Sequence, residues 1–192
     1  MKKGRIEAFS DGVIAILITI MVLELRAPTG AGLGALRSLV PDLLSYLLSF
    51  VMLGIYWNNH HHLLQVVDSV DGRVLWANLH LLFWLSLIPF VTGWMGENHF
   101  AATPVAGYGA VIMMAGVAYY ILERALIMCH GKASPLAIAI GHDFKGIASV
   151  FLYVAAIALS FVNSWIAVAV YVFVAIMWLI PDRRIERILA QK

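Results

Sequence analysis

Apolar residues run through the chain in six long blocks separated by short polar or Gly/Pro-rich joints. The blocks fall at about Arg5–Leu25, Leu43–Val67, Val74–Thr92, Pro104–Cys129, Lys145–Val162 and Ser164–Ile180. A helix needs roughly 20 residues to cross about 30 Å of hydrocarbon, and each block comes near that length. Pro28, Thr29, Gly30, Gly32 and Gly34 break the chain after the first block, and Asp68 to Gly72 form a polar turn after the second. Gly93 to Thr103 separate the third from the fourth, and Gly131 to Asp143, with Pro135, precede the fifth. Asn163 and Ser164 divide the last two blocks only weakly, and Pro181 stops the sixth. The pattern predicts an all-α, polytopic membrane protein: one domain over residues 1–192 with six transmembrane helices.

Composition agrees with the pattern. Of 192 residues, 62% are hydrophobic and 12% charged, against about half and a quarter in soluble domains. A soluble fold of this size lacks the interior to hide so much apolar surface. The net charge of +2 is uninformative, and no nucleic-acid partner is expected. Placement of the charges says more. With the amino terminus inside, Lys2, Lys3, Arg5, Arg73, Arg124, Lys132, Lys145, Arg183, Arg184, Arg187 and Lys192 are internal, and only Arg26 and Arg37 are external. That bias predicts a multi-pass protein of the cell membrane with both termini cytoplasmic. Glu7 and Asp11 early in the first block, and the lack of a small-residue cleavage site after Leu25, argue against a removed signal. A single Cys129 allows no intrachain disulfide.

The first helix departs from a generic membrane span. Arg5, Glu7, Ser10 and Asp11 occupy its first two turns, and Thr19 sits deep within it. Ionisable groups below the membrane surface are costly and face protein or water. Asp11 lies six residues from Arg5 on another face, so its partners are expected on other helices or another subunit. A structural hydrogen-bond clamp near the interface and direct ion contact are both readings of Asp11. Farther along, Val13, Ile16, Ile20 and Leu23 recur at helical spacing and form one face. Around a symmetry axis this face makes apolar rings of the kind that gate by dewetting. Lipid contact or packing explains the same periodicity.

The run Arg5-x3-Phe9-Ser10-Asp11-Gly12-Val13-x-Ala15-Ile16-x2-Thr19-x3-Leu23-Glu24 resembles the signature of the transmembrane protein 175 family, endosomal and lysosomal potassium channels with prokaryotic relatives. Tyr56-Trp57-x2-His60-His61 resembles the family's aromatic–histidine motif, and Asn78 and Pro89-Phe90 extend the likeness over about residues 5–90. The resemblance implies a potassium-permeable cation channel. A single six-helix repeat implies a homotetramer with the first helices lining a central pore. It places a hydrophobic constriction at Ile16, Ile20 and Leu23, and assigns ion preference in part to Thr19. It groups Arg5, Ser10, Asp11, Asn78 and a second-helix histidine in a structural polar cluster. His61 is the preferred histidine, with His60 next. The permeant ion is K⁺ or other monovalent cations, and no cofactor or metal is implied.

Other features lead less far. Gly107-Tyr108-Gly109 lacks the preceding residues of a conventional potassium filter, and the short joint before the fourth helix leaves no room for a pore helix. Small residues easing helix contact explain it better. His60-His61-His62 point about 100° apart on a helix and cannot converge on one metal ion; polar helix contacts or a pH-sensitive role remain. His80 could pair across helices, but plain packing is the favoured reading there too. Glu24, at the end of the first helix, could form a carboxylate ring, although Arg26 follows closely. No hydrolase, zinc-protease or phosphate-loop motif is present, so no enzyme is expected. The alternatives to a channel are a proton- or ion-coupled secondary transporter using Asp11, His61 and Asn78, and a non-transporting assembly protein.

Overall fold

The computed structural model describes residues 2–28, 30–131, 134, 136–137 and 144–179. Lys132, Pro135, Pro181, Arg183, Arg184, Arg187 and Lys192 lie outside them, as does the end of the sixth block at Ile180. The helices are α1 (Gly4–Leu23), α2 (Val40–Gln65), α3 (Gly72–Ser86), α4 (Ile88–Glu97), α5 (Ala102–His130), α6 (Phe144–Ser160) and α7 (Ser164–Leu179), with a 3₁₀ segment at Leu33–Leu39. α3 and α4 run on as one span, Gly72–Glu97; among the described residues it, α1, Leu33–Gln65 and α5 are long and apolar enough to cross a membrane, and α6 and α7 are shorter apolar helices.

The break between α3 and α4 has a simple cause. Pro89 supplies no N–H at the second position of α4, and its ring opposes continued winding, so the chain kinks at Leu87. At the start of α3, the Asp71 carboxylate accepts from Val74 N at 3.0 Å and closes the helix end. The weakly marked joint before α7 is a short turn in which Asn163 Oδ1 accepts from Trp165 N at 3.0 Å.

One boundary differs from the reading of the sequence. Gly93 and Gly96 do not begin the joint before the fourth span; both lie inside α4, and the connection is only Asn98 to Ala101. Gly96 is a close-approach residue. A Cβ there would stand 2.5 Å from Asp42 Oδ1 and 2.9 Å from Asp42 Cα, so its absence lets α4 lie directly on α2. The connection turns sharply, with His99 at φ 51° and Phe100 at φ 58°.

Gly107-Tyr108-Gly109 lies within α5. A Cβ on Gly109 would collide with Tyr171 Oη and stand 2.9 Å from Ile157 Cγ1. The cleft lets the Tyr171 hydroxyl reach across α5 and donate to Val105 O at 3.1 Å. Tyr108, Tyr153 and Tyr171 are buried together around this crossing. On the other side, Ser49, Thr92 and Tyr108 meet between α2, α4 and α5, with Ser49 Oγ 2.6 Å from Thr92 Oγ1 and 3.2 Å from Tyr108 Oη.

Four links fix which helix ends share one side of the bundle. Lys3 Nζ donates to Leu64 O at 2.8 Å, tying the start of α1 to the end of α2, and Lys2 bridges to Ser69. Tyr119 Oη donates to Asn59 O at 3.2 Å, and Trp178 Nε1 to Ser149 Oγ at 2.9 Å. The amino terminus, the α2–α3 turn, the end of α5, the start of α6 and the end of α7 therefore lie together. Lys2, Lys3, Arg5, Arg73, Arg124 and Lys145 all belong to this side.

Candidate functional site

α1 has two faces of different fate. Ile6, Ser10, Ile14, Leu17 and Met21 recur every three or four residues and are buried against the other helices. The face turned away carries Phe9, Ile16, Thr19, Ile20 and Leu23. Ile16 is 57% exposed, Ile20 40% and Leu23 79%, whereas Leu17 next to Ile16 is 7% exposed. Thr19 is exposed with them, its Oγ1 donating to Ile16 O at 2.9 Å. That internal bond ties the hydroxyl to its own helix and leaves its lone pairs outward.

The buried face is fastened by a directed chain of hydrogen bonds. Ser10 Oγ donates to Ile6 O at 2.8 Å. Its lone pair accepts from Asn78 Nδ2 of α3 at 2.9 Å. This turns Asn78 Oδ1 toward His60 of α2, whose Nε2 lies 2.7 Å away. A carbonyl oxygen can only accept, so the imidazole carries its proton on Nε2. Three helices meet at these buried side chains, each of them 0–1% exposed. His60 Nδ1 is buried with no hydrogen-bond partner among the described residues.

Of the two histidines, His60 is the one that bonds to Asn78, and His61 turns elsewhere. One position of helix turn separates the two faces. His61 sits at the rim of the helix bundle, where Gln65 Nε2 lies 2.7 Å from its Nε2 and Glu7 Oε1 3.7 Å from its Nδ1. It stacks on Trp57 with ring centroids 5.9 Å apart. Asp11 belongs to this rim as well, accepting from Trp57 Nε1 at 3.0 Å. Trp57 stands three and four residues before His60 and His61, a spacing that puts it on their turn of α2. Arg5 is exposed, and no hydrogen bond or ion pair to it occurs among the described residues. The polar cluster thus divides into a buried knot (Ser10, Asn78, His60) and an outward rim (Glu7, Asp11, Trp57, His61). His80 bonds within its own helix rather than across helices, accepting from Trp84 Nε1 at 3.0 Å.

A model of the family described as Endosomal/lysosomal potassium channel TMEM175 matches residues 5–89, the stretch that holds both faces of α1 and the knot. A potassium channel of Chryseobacterium sp. (strain P1-3) is 54% identical over 191 residues, covering 100% of both chains. The chain belongs to the TMEM175 family. A potassium channel of Chamaesiphon minutus is 31% identical over 187 residues, covering 90% of this chain and 91% of that one. The crystal structure of a lysosomal potassium-selective channel TMEM175 homolog from the same organism has a TM-score of 0.81 at 30% identity, covering 94% of this chain and 97% of that one. The Homo sapiens protein named endosomal/lysosomal proton channel TMEM175 is 36% identical over 96 residues, covering 43% of this chain and 19% of that one. The family and these relatives are ion channels, not enzymes, and this chain is a multi-pass membrane channel protein.

Proposed function

We propose that the chain forms a homotetrameric, potassium-permeable pore in the cell membrane, lined by the outward face of α1. The observation that carries this reading is the division of α1: one face is fixed inside the protomer, and the other presents Ile16, Thr19, Ile20 and Leu23 uncovered. The rim of Asp11, Trp57, Glu7 and His61 supports an assembly, because polar groups at a protomer's edge within a membrane call for protein or water beside them. Ile16, Ile20 and Leu23 form a dry collar at which an ion must shed hydration without a carbonyl cage, which costs several kcal/mol or more. Conduction then needs the collar to widen and wet. Thr19 supplies a hydroxyl between the layers and contributes to ion preference. The cations gathered at the amino-terminal side support a cytoplasmic position for both termini.

Single-channel recording in planar bilayers, with bi-ionic potassium and sodium gradients, tests the proposal. Ile16→Asn raises conductance and lowers discrimination between the two ions. Thr19→Ala lowers discrimination with less effect on closure. The control is Leu17→Met, a volume-conserving change inside the protomer, which leaves permeation alone. If the Leu17 variant alters permeation and the Ile16 variant does not, the pore lies on the other side of α1. A proton gradient across the same bilayer separates potassium flux from the proton permeation named for the vertebrate relatives.

A further inference from the structure

Away from α1, a groove of about 280 Å³ runs between α2, α5 and α6 and ends at Trp178 of α7. Met52, Ile55, Met113, Val117, Val150 and Phe151 line it. Its polar side chains are in large part turned to the protein. Tyr56 Oη donates to Ile112 O at 3.1 Å, Tyr119 Oη to Asn59 O at 3.2 Å, and Trp178 Nε1 to Ser149 Oγ at 2.9 Å. Ser149 Oγ in turn donates to Lys145 O at 2.8 Å. What remains for an occupant is mostly methyl groups and ring faces. Tyr120, Ile147 and Phe151 on its wall are exposed, so the groove opens on the outside of the bundle.

One end of this slot is cationic. The Arg124 guanidinium lies 4.7 Å from the centroid of the Tyr120 ring, and Lys145 Nζ lies 6.0 Å from that of Trp178. Both rings line the groove. Arg124 Nε is buried with no hydrogen-bond partner among the described residues, and its Nη2 forms a salt bridge with Glu123 Oε1 at 4.0 Å. Both cations stand on the amino-terminal side of the bundle.

An apolar slot open to the hydrocarbon and ending in two cations has the chemistry of a lipid with a negative headgroup. We propose that the groove binds an anionic phospholipid from the leaflet on the amino-terminal side, with an acyl chain in the slot and its phosphate beside Arg124 and Lys145. A free anion has the cations but no use for the slot. An uncharged apolar helix fits the slot but makes no use of the positive charge beside it. The site lies on different helices from the proposed pore face, so it stands or falls independently of the permeation path.

Native mass spectrometry of the full chain in detergent, with added dioleoyl phosphatidylglycerol or dioleoyl phosphatidylcholine, reads the site directly. Phosphatidylglycerol is retained at least about tenfold more strongly, and Arg124→Gln and Lys145→Gln each reduce that retention by about fivefold. Gly116 offers a second handle. A Cβ there meets only Tyr56 Oη at 3.6 Å, so a larger side chain grows into the groove. Gly116→Leu therefore weakens binding of both lipids, and Val117→Phe serves the same purpose if the first variant fails to fold. Equal retention of the two lipids, or lipid binding untouched by both filling variants, overturns the proposal. So does thermal stabilisation by inorganic phosphate equal to that by phosphatidylglycerol. A filling variant that changes the oligomeric state and not lipid retention also overturns it, since the groove is then sealed by another copy.

Discussion

The two halves of the molecule are held together by different chemistry. In the amino-terminal half, short polar side chains bond to one another across helices: Ser10 to Asn78, Asn78 to His60, Ser49 to Thr92. In the carboxy-terminal half, glycine clefts admit large aromatic side chains, and Tyr171 reaches the Val105 carbonyl through the gap at Gly109. Directed bonds between short side chains set how a helix is rotated. Filled volume sets how close two helices lie. The half that presents an uncovered helix face relies on the first kind, and the half that serves as scaffold relies on the second.

Substitutions in each half should break the protein in different ways. The largest effect belongs to the scaffold. Gly109→Leu forces a side chain into Tyr171 and Ile157, an overpacking cost of about 3 kcal/mol or more. Size-exclusion chromatography and thermal unfolding in detergent are expected to show little folded protein. Asn78→Leu comes next. It leaves His60 Nε2 without its acceptor and Ser10 without its donor, at about 1–3 kcal/mol. Here the folded chain survives with a lowered unfolding midpoint, and the channel shows altered gating because α1 has lost its rotational anchor. If Asn78→Leu unfolds the protein as thoroughly as Gly109→Leu does, the two halves do not differ in the way described.

The smallest effect is at the rim. Asp11→Ala removes the acceptor of the Trp57 indole, at about 1 kcal/mol, and weakens assembly more than it changes ion preference. Chemical cross-linking for oligomeric state, paired with reversal potentials, separates these outcomes. Normal assembly with strongly altered selectivity moves Asp11 into the ion path.

The spans were legible because bilayer thickness fixes a length, and length survives without any knowledge of packing. The kink at Leu87 is carried by Pro89, a proline inside an otherwise continuous apolar block. Gly96 misled: in a membrane helix a glycine marks close approach as often as an ending, and only the presence of Asp42 beside it tells which. The choice between His60 and His61 depends on the rotation of α2 about its axis. Local sequence does not report rotation when neighbouring positions are all polar. The two faces of α1 were equally hidden, since both are apolar and periodicity cannot distinguish Leu17 from Ile16. The Ser10, Asp11 and Asn78 positions were readable as polar residues needing partners, but not which partner each one has.

The placement of the bonds on α1 has a mechanical consequence. Lys3, Ser10 and Asp11 bond to other elements, all within the opening turns. Beyond them the Thr19 hydroxyl bonds only within its own helix, and Ile14, Leu17 and Met21 are held by contact alone. A rod fastened at its base and merely leaning along its length turns about the fastening. From Ser10, Ile16 lies about 9 Å along the axis and Leu23 about 20 Å. A tilt of about 5° therefore carries Leu23 sideways by about 1.7 Å and Ile16 by about 0.8 Å. In the proposed pore, this lever arm would make Leu23 the layer that clears first and Ile16 the layer that clears last, so the innermost ring would set how far the helix must swing before an ion can pass.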